Sequence, residues 1–354
     1  MKTYNEILSD VTKTATKIPQ SDYLTEGKYR IFDQGKDYSG GFFNNNDGLV
    51  SDYPYIIFGD HTRVIKYVNE PCYIGADGVK LLKVINKNFD SRYIYYNILA
   101  KPIESQGYAR HFKFLKEIQF TEKTLSEQRK IATELDTIQS AIDNKKQQLA
   151  LLDEAVKSRF IEMFGDPVIN PKGWEVKKIN DVAPAKSYNG NFNYPVWLLN
   201  LDMIEAQTGT IIDYKIVDKE EIGTSTIGFD ENNVLYSKLR PYLNKVVIPN
   251  KKGICTTELI PLKPDTNYLN RVFLANLLRS KSFVDFINEK VAGAKMPRVS
   301  MDEFRNFECI IPPIELQNDF AVFVQQIDKS KFVVKQQLAD LQELLDSKMQ
   351  EYFG

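Results

Sequence analysis

Cysteine and histidine are scarce: three and two residues among 354. Cys72, Cys255 and Cys309 are scattered and odd in number, which fits neither a disulfide framework nor a zinc site with paired ligands. Reduced thiols are expected. With only His61 and His111, acid–base chemistry on imidazole has few candidates, and each histidine reads more naturally as a hydrogen-bonding or contact residue. Neither sign of charge prevails, because 46 Lys+Arg meet 47 Asp+Glu for a net charge of −1. A nucleic-acid surface therefore requires a local excess of cations on one face. No apolar run reaches the roughly eighteen residues of a membrane span, and the first residues lack the apolar stretch of a secretory leader. A cytoplasmic location without membrane contact is expected.

Catalytic patterns are missing as well. There is no G-x-G-x-x-G, no Walker sequence, no zinc spacing and no Asp/Asn-Pro-Pro-aromatic element of the kind amino-methyltransferases use on a flipped base. Asp166 with Glu175-Val176-Lys177 superficially matches the carboxylates and lysine of nucleases, but Asp166 lies in a Gly-Asp-Pro turn, where it caps a chain reversal. No catalytic residue, metal or cofactor is expected.

What the chain does have is ordinary globular composition, 43% hydrophobic and 26% charged, and enough length for two or more domains. It also has an internal repeat. Leu125 to Gly165 sets over Ile314 to Gly354 without a gap, placing Gln128 on Gln317, Ala132 on Ala321, Ile138 on Ile327, Gln147–Ala150 on Gln336–Ala339, Ser158 on Ser347, Glu162 on Glu351 and Phe164-Gly165 on Phe353-Gly354. The chain is two copies of one unit, each a globular part followed by a helical segment.

Both segments are rich in Leu, Ala, Gln, Glu and Lys, contain no proline and end in glycine. Apolar residues recur at alternating steps of three and four, as Leu135, Ile138, Ile142, Leu149, Leu152, Val156 and Met163 in the first and Val324, Ile327, Val334, Leu338, Leu341, Leu345 and Tyr352 in the second. That period predicts a coiled-coil seam by which the helices pair. Lys145 and Lys331 interrupt it, and Arg159 and Lys348 occupy matching late positions. At roughly 1.5 Å per residue each helix runs about 60 Å, and antiparallel packing would hold the globular parts apart.

The globular parts carry short β-type runs, YPYIIF, CYIGADGVKLLKVI, NKVVIP and ELIPLK, followed by helical patterns at 91–100 and 270–290. The expected fold class is α+β: two mixed globular domains joined by two long helices packed as an antiparallel coiled coil, with a pseudo-two-fold repeat. The boundaries read as 1–120, 121–165, 166–313 and 314–354. Four stretches concentrate positive charge: GYARHFKFLK, YSKLRPYLNKVVIPNKK, GDHTRVIKY and GAKMPR. Cations among aromatics and turn residues suit DNA, since they position phosphates and reach base edges. The DNA-contact candidates are Arg63, Lys66, Arg110, His111 and Lys113 in the first part and Lys238, Arg240, Lys245, Lys295 and Arg298 in the second. Phe112 and Leu115 read as core.

GYARHFKFLKEI running into LSEQRKIATELDTI, and GAKMPRVSMDEFRNFECIIPPIELQ running into its helix, resemble the ends of target-recognition domains entering the spacer helices of type I restriction-modification specificity subunits. IIFGDHTRVIKYVNEPCYIGADGVKLL, VLYSKLRPYLNKVVIPNKKGICTTELI and the FGDPVINPKGW junction are similar to further segments of that family. The resemblance covers essentially the whole chain. It implies a non-catalytic subunit that reads a split double-stranded DNA target, one half per recognition domain, while the paired helices fix the gap. It also implies two methyltransferase subunits, which bring S-adenosylmethionine chemistry, and motor-nuclease subunits as partners. In two respects the chain departs from the pattern: IQFTEKTLSEQ replaces the proline pair of CIIPPIELQ, predicting an altered turn into the first helix, and a short first recognition domain leaves open a weakened half-site. Two alternatives stay open, a coiled-coil scaffold joining protein-binding domains, and the specificity subunit of a related system whose nuclease is fused to its methyltransferase.

Overall fold

The computed structural model describes residues 1–107, 109–292 and 297–354. Its longer helices are α1 (Ser91–Leu99), α2 (Leu125–Phe164), α3 (Arg271–Arg279), α4 (Lys281–Asn288) and α5 (Ile314–Phe353). The chain divides into two compact units. Unit 1 combines Met1–Lys146 with Gln336–Gly354, and unit 2 is Gln147–Lys335.

In unit 1, strands Leu8–Asp10, Val79–Val84, Tyr55–Gly59 and Ile65–Val68 form an antiparallel sheet in that order. A second, mixed sheet orders Lys17–Ile18, Cys72–Gly75, Tyr29–Phe32 and Gly41–Phe43. The run YIIFG is apolar throughout because its strand is covered on both faces. Ile56 and Phe58 pack toward the helices, while Ile57 joins Phe32, Cys72, Ile74 and Leu81 between the sheets. Unit 2 repeats the plan with a three-stranded first sheet, and at the edge of its second sheet Thr226–Phe229 runs antiparallel to Gly253–Thr256 where unit 1 has the parallel Lys17–Ile18. Val234 and Tyr236 face its helices, and Leu235 faces Trp197, Leu199, Phe229 and Cys255 of the second sheet. In each unit a strand near the start pairs antiparallel with the strand that precedes the long helix: Lys2–Thr3 with Gln119–Phe120, and Glu175–Lys178 with Glu308–Ile311.

The helical pattern read over 91–100 is one helix, capped by the Asp90 carboxylate, which accepts from the Arg92 and Tyr93 N–H groups. The pattern over 270–290 is two helices, because the Ser280 hydroxyl caps Phe283 N–H and restarts the chain. Both long helices are unbroken. In unit 1 the start of α2 lies against the end of α5: the Tyr352 hydroxyl donates to Glu134 at 2.7 Å, and Lys348 Nζ sits 3.2 Å from the same carboxylate. In unit 2 the end of α2 lies against the start of α5, with Lys331 2.6 Å from Asp153 and Phe160 against Phe320. That is the antiparallel order. The seam residues Leu135, Ile138, Ile142, Val156 and Val334 are buried, and Leu149, Leu152, Val324, Ile327, Leu338, Leu341 and Leu345 are half-buried.

Before α2 a different local device stands where α5 has its proline pair. Thr124 and Glu127 form reciprocal hydrogen bonds, Thr124 N–H to the carboxylate and Glu127 N–H to the hydroxyl, and this capping box does the work that Pro312-Pro313 does before α5. The three cysteines are buried and free, and burial pushes each thiol up to about 12. Asp166 accepts from Val168 and Ile169 N–H in its turn, and Glu175 pairs with Lys177.

Candidate nucleic-acid interface

Each unit offers a pair of adjoining loops. In unit 1 the turn after strand Tyr55–Gly59 docks on the segment that follows α1. Asp60 organises the junction: its carbonyl accepts His111 N–H at 2.8 Å and faces His111 Nδ1 at 3.0 Å, and its carboxylate accepts Phe112 N–H at 2.8 Å. In unit 2 the turn after strand Val234–Ser237 docks on 297–299, with Lys238 carbonyl accepting Val299 N–H at 2.9 Å and Arg240 N–H donating to Pro297 at 2.8 Å. The two loop pairs occupy corresponding places in the repeat.

A left-handed arginine marks each turn. Arg63 has φ 62° and Arg240 has φ 50°, although neither is a glycine or an Asn/Asp that tolerates this region. Such a conformation costs on the order of 1–3 kcal/mol and persists where the surroundings over-determine it. Arg63 is held by its N–H to Gly59 and by Nη1 to Ile103 at 3.3 Å. Arg240 opens the short Pro241–Leu243 turn, closed by a second left-handed residue, Asn244, and its own side chain is exposed.

The remaining candidates divide by exposure. Arg110 and Lys113 are exposed, the latter with its ammonium 4.8 Å from the Phe114 ring. Lys238 is half-buried, and Arg298 is exposed and ion-paired with Glu258 at 2.9 Å. Lys295 lies outside the described residues. Three expectations are corrected, His111 and Lys66 by burial and the half-buried Lys245 by a hydrogen bond into the fold. His111 is fully buried, its Nε2 accepting Gln106 N–H at 3.1 Å while Nδ1–H points at the Asp60 carbonyl, so both ring nitrogens are used inside the fold. Lys66 is 5% exposed and pairs with Asp33 at 3.4 Å, and its burial lowers the ammonium pKa. Lys245 donates inward to the Leu201 carbonyl at 2.7 Å and is likewise lowered by burial. These two lysines anchor the chain just after corresponding strands, Tyr29–Phe32 and Val196–Leu199. Their charge is spent on the fold.

Sequence reasoning passed over two features. Tyr242 stands exposed at the tip of the unit 2 turn, a placement that Arg-Pro-Tyr-Leu-Asn encodes through proline at the first turn position and asparagine in the left-handed one. Lys251 lies 5.3 Å from the Trp197 ring and 5.1 Å from that of exposed Tyr214. Nothing local in the sequence joins these three, which sit on separate strands and turns.

A family model, the type I restriction modification DNA specificity domain, matches residues 171–343. The specificity subunit of the type I restriction enzyme EcoDI of Escherichia coli is 26% identical over 161 residues, covering 44% of this chain and 35% of that protein. The MjaIX specificity subunit of Methanocaldococcus jannaschii is 23% identical over 262 residues, covering 66% of this chain and 59% of that protein. The chain therefore spans about a third and three-fifths of these relatives. In fold it is similar to the crystal structure of a type I restriction-modification S subunit from M. genitalium, with TM-score 0.59 and 15% identity over 100% of this chain and 95% of that one. It is also similar to a chain from a type I restriction-modification complex, with TM-score 0.51 and 14% identity over the same shares. Residues 171–343 thus match a type I restriction modification DNA specificity domain, and the fold of the chain is similar to that of a type I S subunit.

Proposed function

We propose that this chain is the DNA-specificity subunit of a type I restriction-modification complex. The observation that carries the reading is the duplicated loop pair, with an arginine held left-handed in each turn and an exposed arginine beside it: Arg110 in unit 1, Arg298 in unit 2. Parts 1–120 and 166–313 each contact one half of a gapped duplex target. Segments 121–165 and 314–354 join them and set the gap. Arg63, Arg110, Lys113, Lys238, Arg240, Lys295 and Arg298 supply the cations. Those beside phosphates fix register, and those reaching the major groove discriminate bases.

The chain itself is non-catalytic. Methyl transfer and cleavage belong to partners, two methyltransferase subunits with S-adenosylmethionine and motor-nuclease subunits. Leu151 and Ile161 on α2 and Val322, Phe332, Val333 and Leu344 on α5 are exposed, and apolar side chains spaced along the helices suit the docking of a helical partner. No helix among the described residues is long and apolar enough to cross a membrane, in keeping with work on DNA in the cytoplasm.

Co-expression with the methyltransferase partner, followed by genome-wide mapping of modified adenines, tests the proposal. A two-part motif with a fixed gap is expected, and a continuous motif or no methylation overturns it. Affinity for duplex should fall steeply as salt rises, through counterion release, whereas a purely protein-binding scaffold would show no such slope.

A further inference from the structure

One side chain of the repeat is used identically in both units and has no part in binding as described above. Gln128, in the first turn of α2, is fully buried. Its Oε1 accepts Asp90 N–H at 2.8 Å, and its Nε2 donates to the Asn88 carbonyl at 2.9 Å and the Lys123 carbonyl at 2.8 Å. Gln317, in the first turn of α5, is also fully buried. Its Oε1 accepts Asn270 N–H at 2.9 Å, and its Nε2 donates to the Tyr268 and Pro312 carbonyls, both at 2.8 Å. The connectivity is the same bond for bond.

The partners explain what this amide controls. Asp90 caps α1 and Asn270 caps α3, so each glutamine grips the capping residue just before the helix on which its globular part is built. The far end of α1 leads into the segment of Arg110, whose Ile103 carbonyl receives Arg63. In unit 2, α3 and α4 lead on to Arg298. A side chain doing this must present one acceptor and two donors at that reach, and glutamine is the residue that does. An isosteric apolar replacement leaves an N–H and two carbonyls without the buried amide that pairs them, which loosens the joint.

Resting on the DNA-recognition reading above, we infer that Gln128 and Gln317 are positioning residues for the gap in the target. Each seats its reading loops at one fixed place along its own long helix. The loops themselves choose bases. Weakening the joint therefore widens the range of half-site separations that are accepted and leaves the bases of each half-site unchanged.

The test uses the full chain co-expressed with its methyltransferase. Wild type, Gln128→Met and Gln317→Met are compared on duplex libraries whose gap is one base pair shorter than, equal to, or one longer than the mapped motif. Tyr73→Phe serves as a control, because it removes a hydrogen bond to Asn45 from the second sheet of unit 1 and so lowers stability away from the joint. Each methionine variant is expected to raise modification of off-gap duplexes relative to the matched gap by roughly tenfold, the effect of losing buried hydrogen bonds. Tyr73→Phe should not. If Gln128→Met fails to accumulate, Gln128→Glu, which keeps an acceptor for Asp90 N–H, is judged by the same criterion. An unchanged gap profile in the folded variants, or a change in the bases preferred, overturns the inference. Failure of the wild-type complex to modify any gapped motif overturns the DNA reading instead.

Discussion

Where Lys348 in unit 1 meets Glu134 and the Tyr352 hydroxyl, unit 2 places Arg159 over the Phe323 ring at 6.0 Å. The four positions correspond in the repeat, Lys348 with Arg159 and Glu134 with Phe323. An ion pair has been exchanged for a cation on an aromatic face, and the helices still pair in the same register. Elsewhere the units keep their chemistry. Phe353 packs on Tyr93 in unit 1 at 5.2 Å, and its counterpart Phe164 packs on Phe273 in unit 2 at 4.7 Å. These half-buried positions of the helix contact have thus diverged, while those that seat a helix end in a globular part keep an aromatic pair. Joints constrain sequence more tightly than the rods between them.

The largest expected effect tests those joints. Phe164→Ala and Phe353→Ala should each cost about 3–5 kcal/mol in urea unfolding, by loss of burial plus a cavity. Phe164 should be the worse, since it also touches Phe160 and Phe320; a reversed order would mean that unit 1 leans on its helix end more heavily. Next come the loops. Arg240→Ala and Arg110→Ala should each weaken duplex binding by about 1–3 kcal/mol where they contact bases, and unchanged affinity in a titration removes the residue concerned. Lys66→Met should lower stability while the folded fraction binds as before. Smaller still, Thr124→Ala should cost about 1 kcal/mol through the lost capping box, and a variant as stable as wild type would show that α2 does not depend on it.

The smallest effect concerns pH. The Tyr352 hydroxyl and then Lys348 hold the Glu134 carboxyl below its ordinary value of 4.5. A depressed carboxylate stabilises the fold above its unfolded pKa, and the contribution is lost as pH falls through the folded one. Hydrogen-exchange protection factors along the start of α2 should therefore fall as pH drops below 4.5, and Glu134→Gln should abolish that acid limb. The carboxylate on Arg159, Glu162 at 2.8 Å, lies on its own helix and does not bridge to Phe323, so an equal acid response there would refute the distinction.

Much of this was legible because repeat and period are properties of the chain alone. The ungapped match located both long helices, and the three-four spacing marked the residues that are buried or half-buried along them. Phe112 and Leu115 were placed in the core by pattern, and both are buried. The loop cations were read less well. Whether Lys66 or His111 faces outward depends on Asp33 and Asp60, remote acids that composition does not connect to them. The missing proline pair is answered by a different local device, Thr124 with Glu127, and both long helices begin at corresponding residues, Leu125 and Ile314.

The crossed ownership of the two cores bears on how the chain is made. A ribosome completes every strand of unit 1 long before it reaches Gln336–Gly354, which unit 1 needs to cover Tyr93 and Leu135. Unit 2 lies wholly within the chain already synthesised by then. The part translated second can thus fold first, and the part translated first must wait with an unclosed core for the last helical turns to emerge.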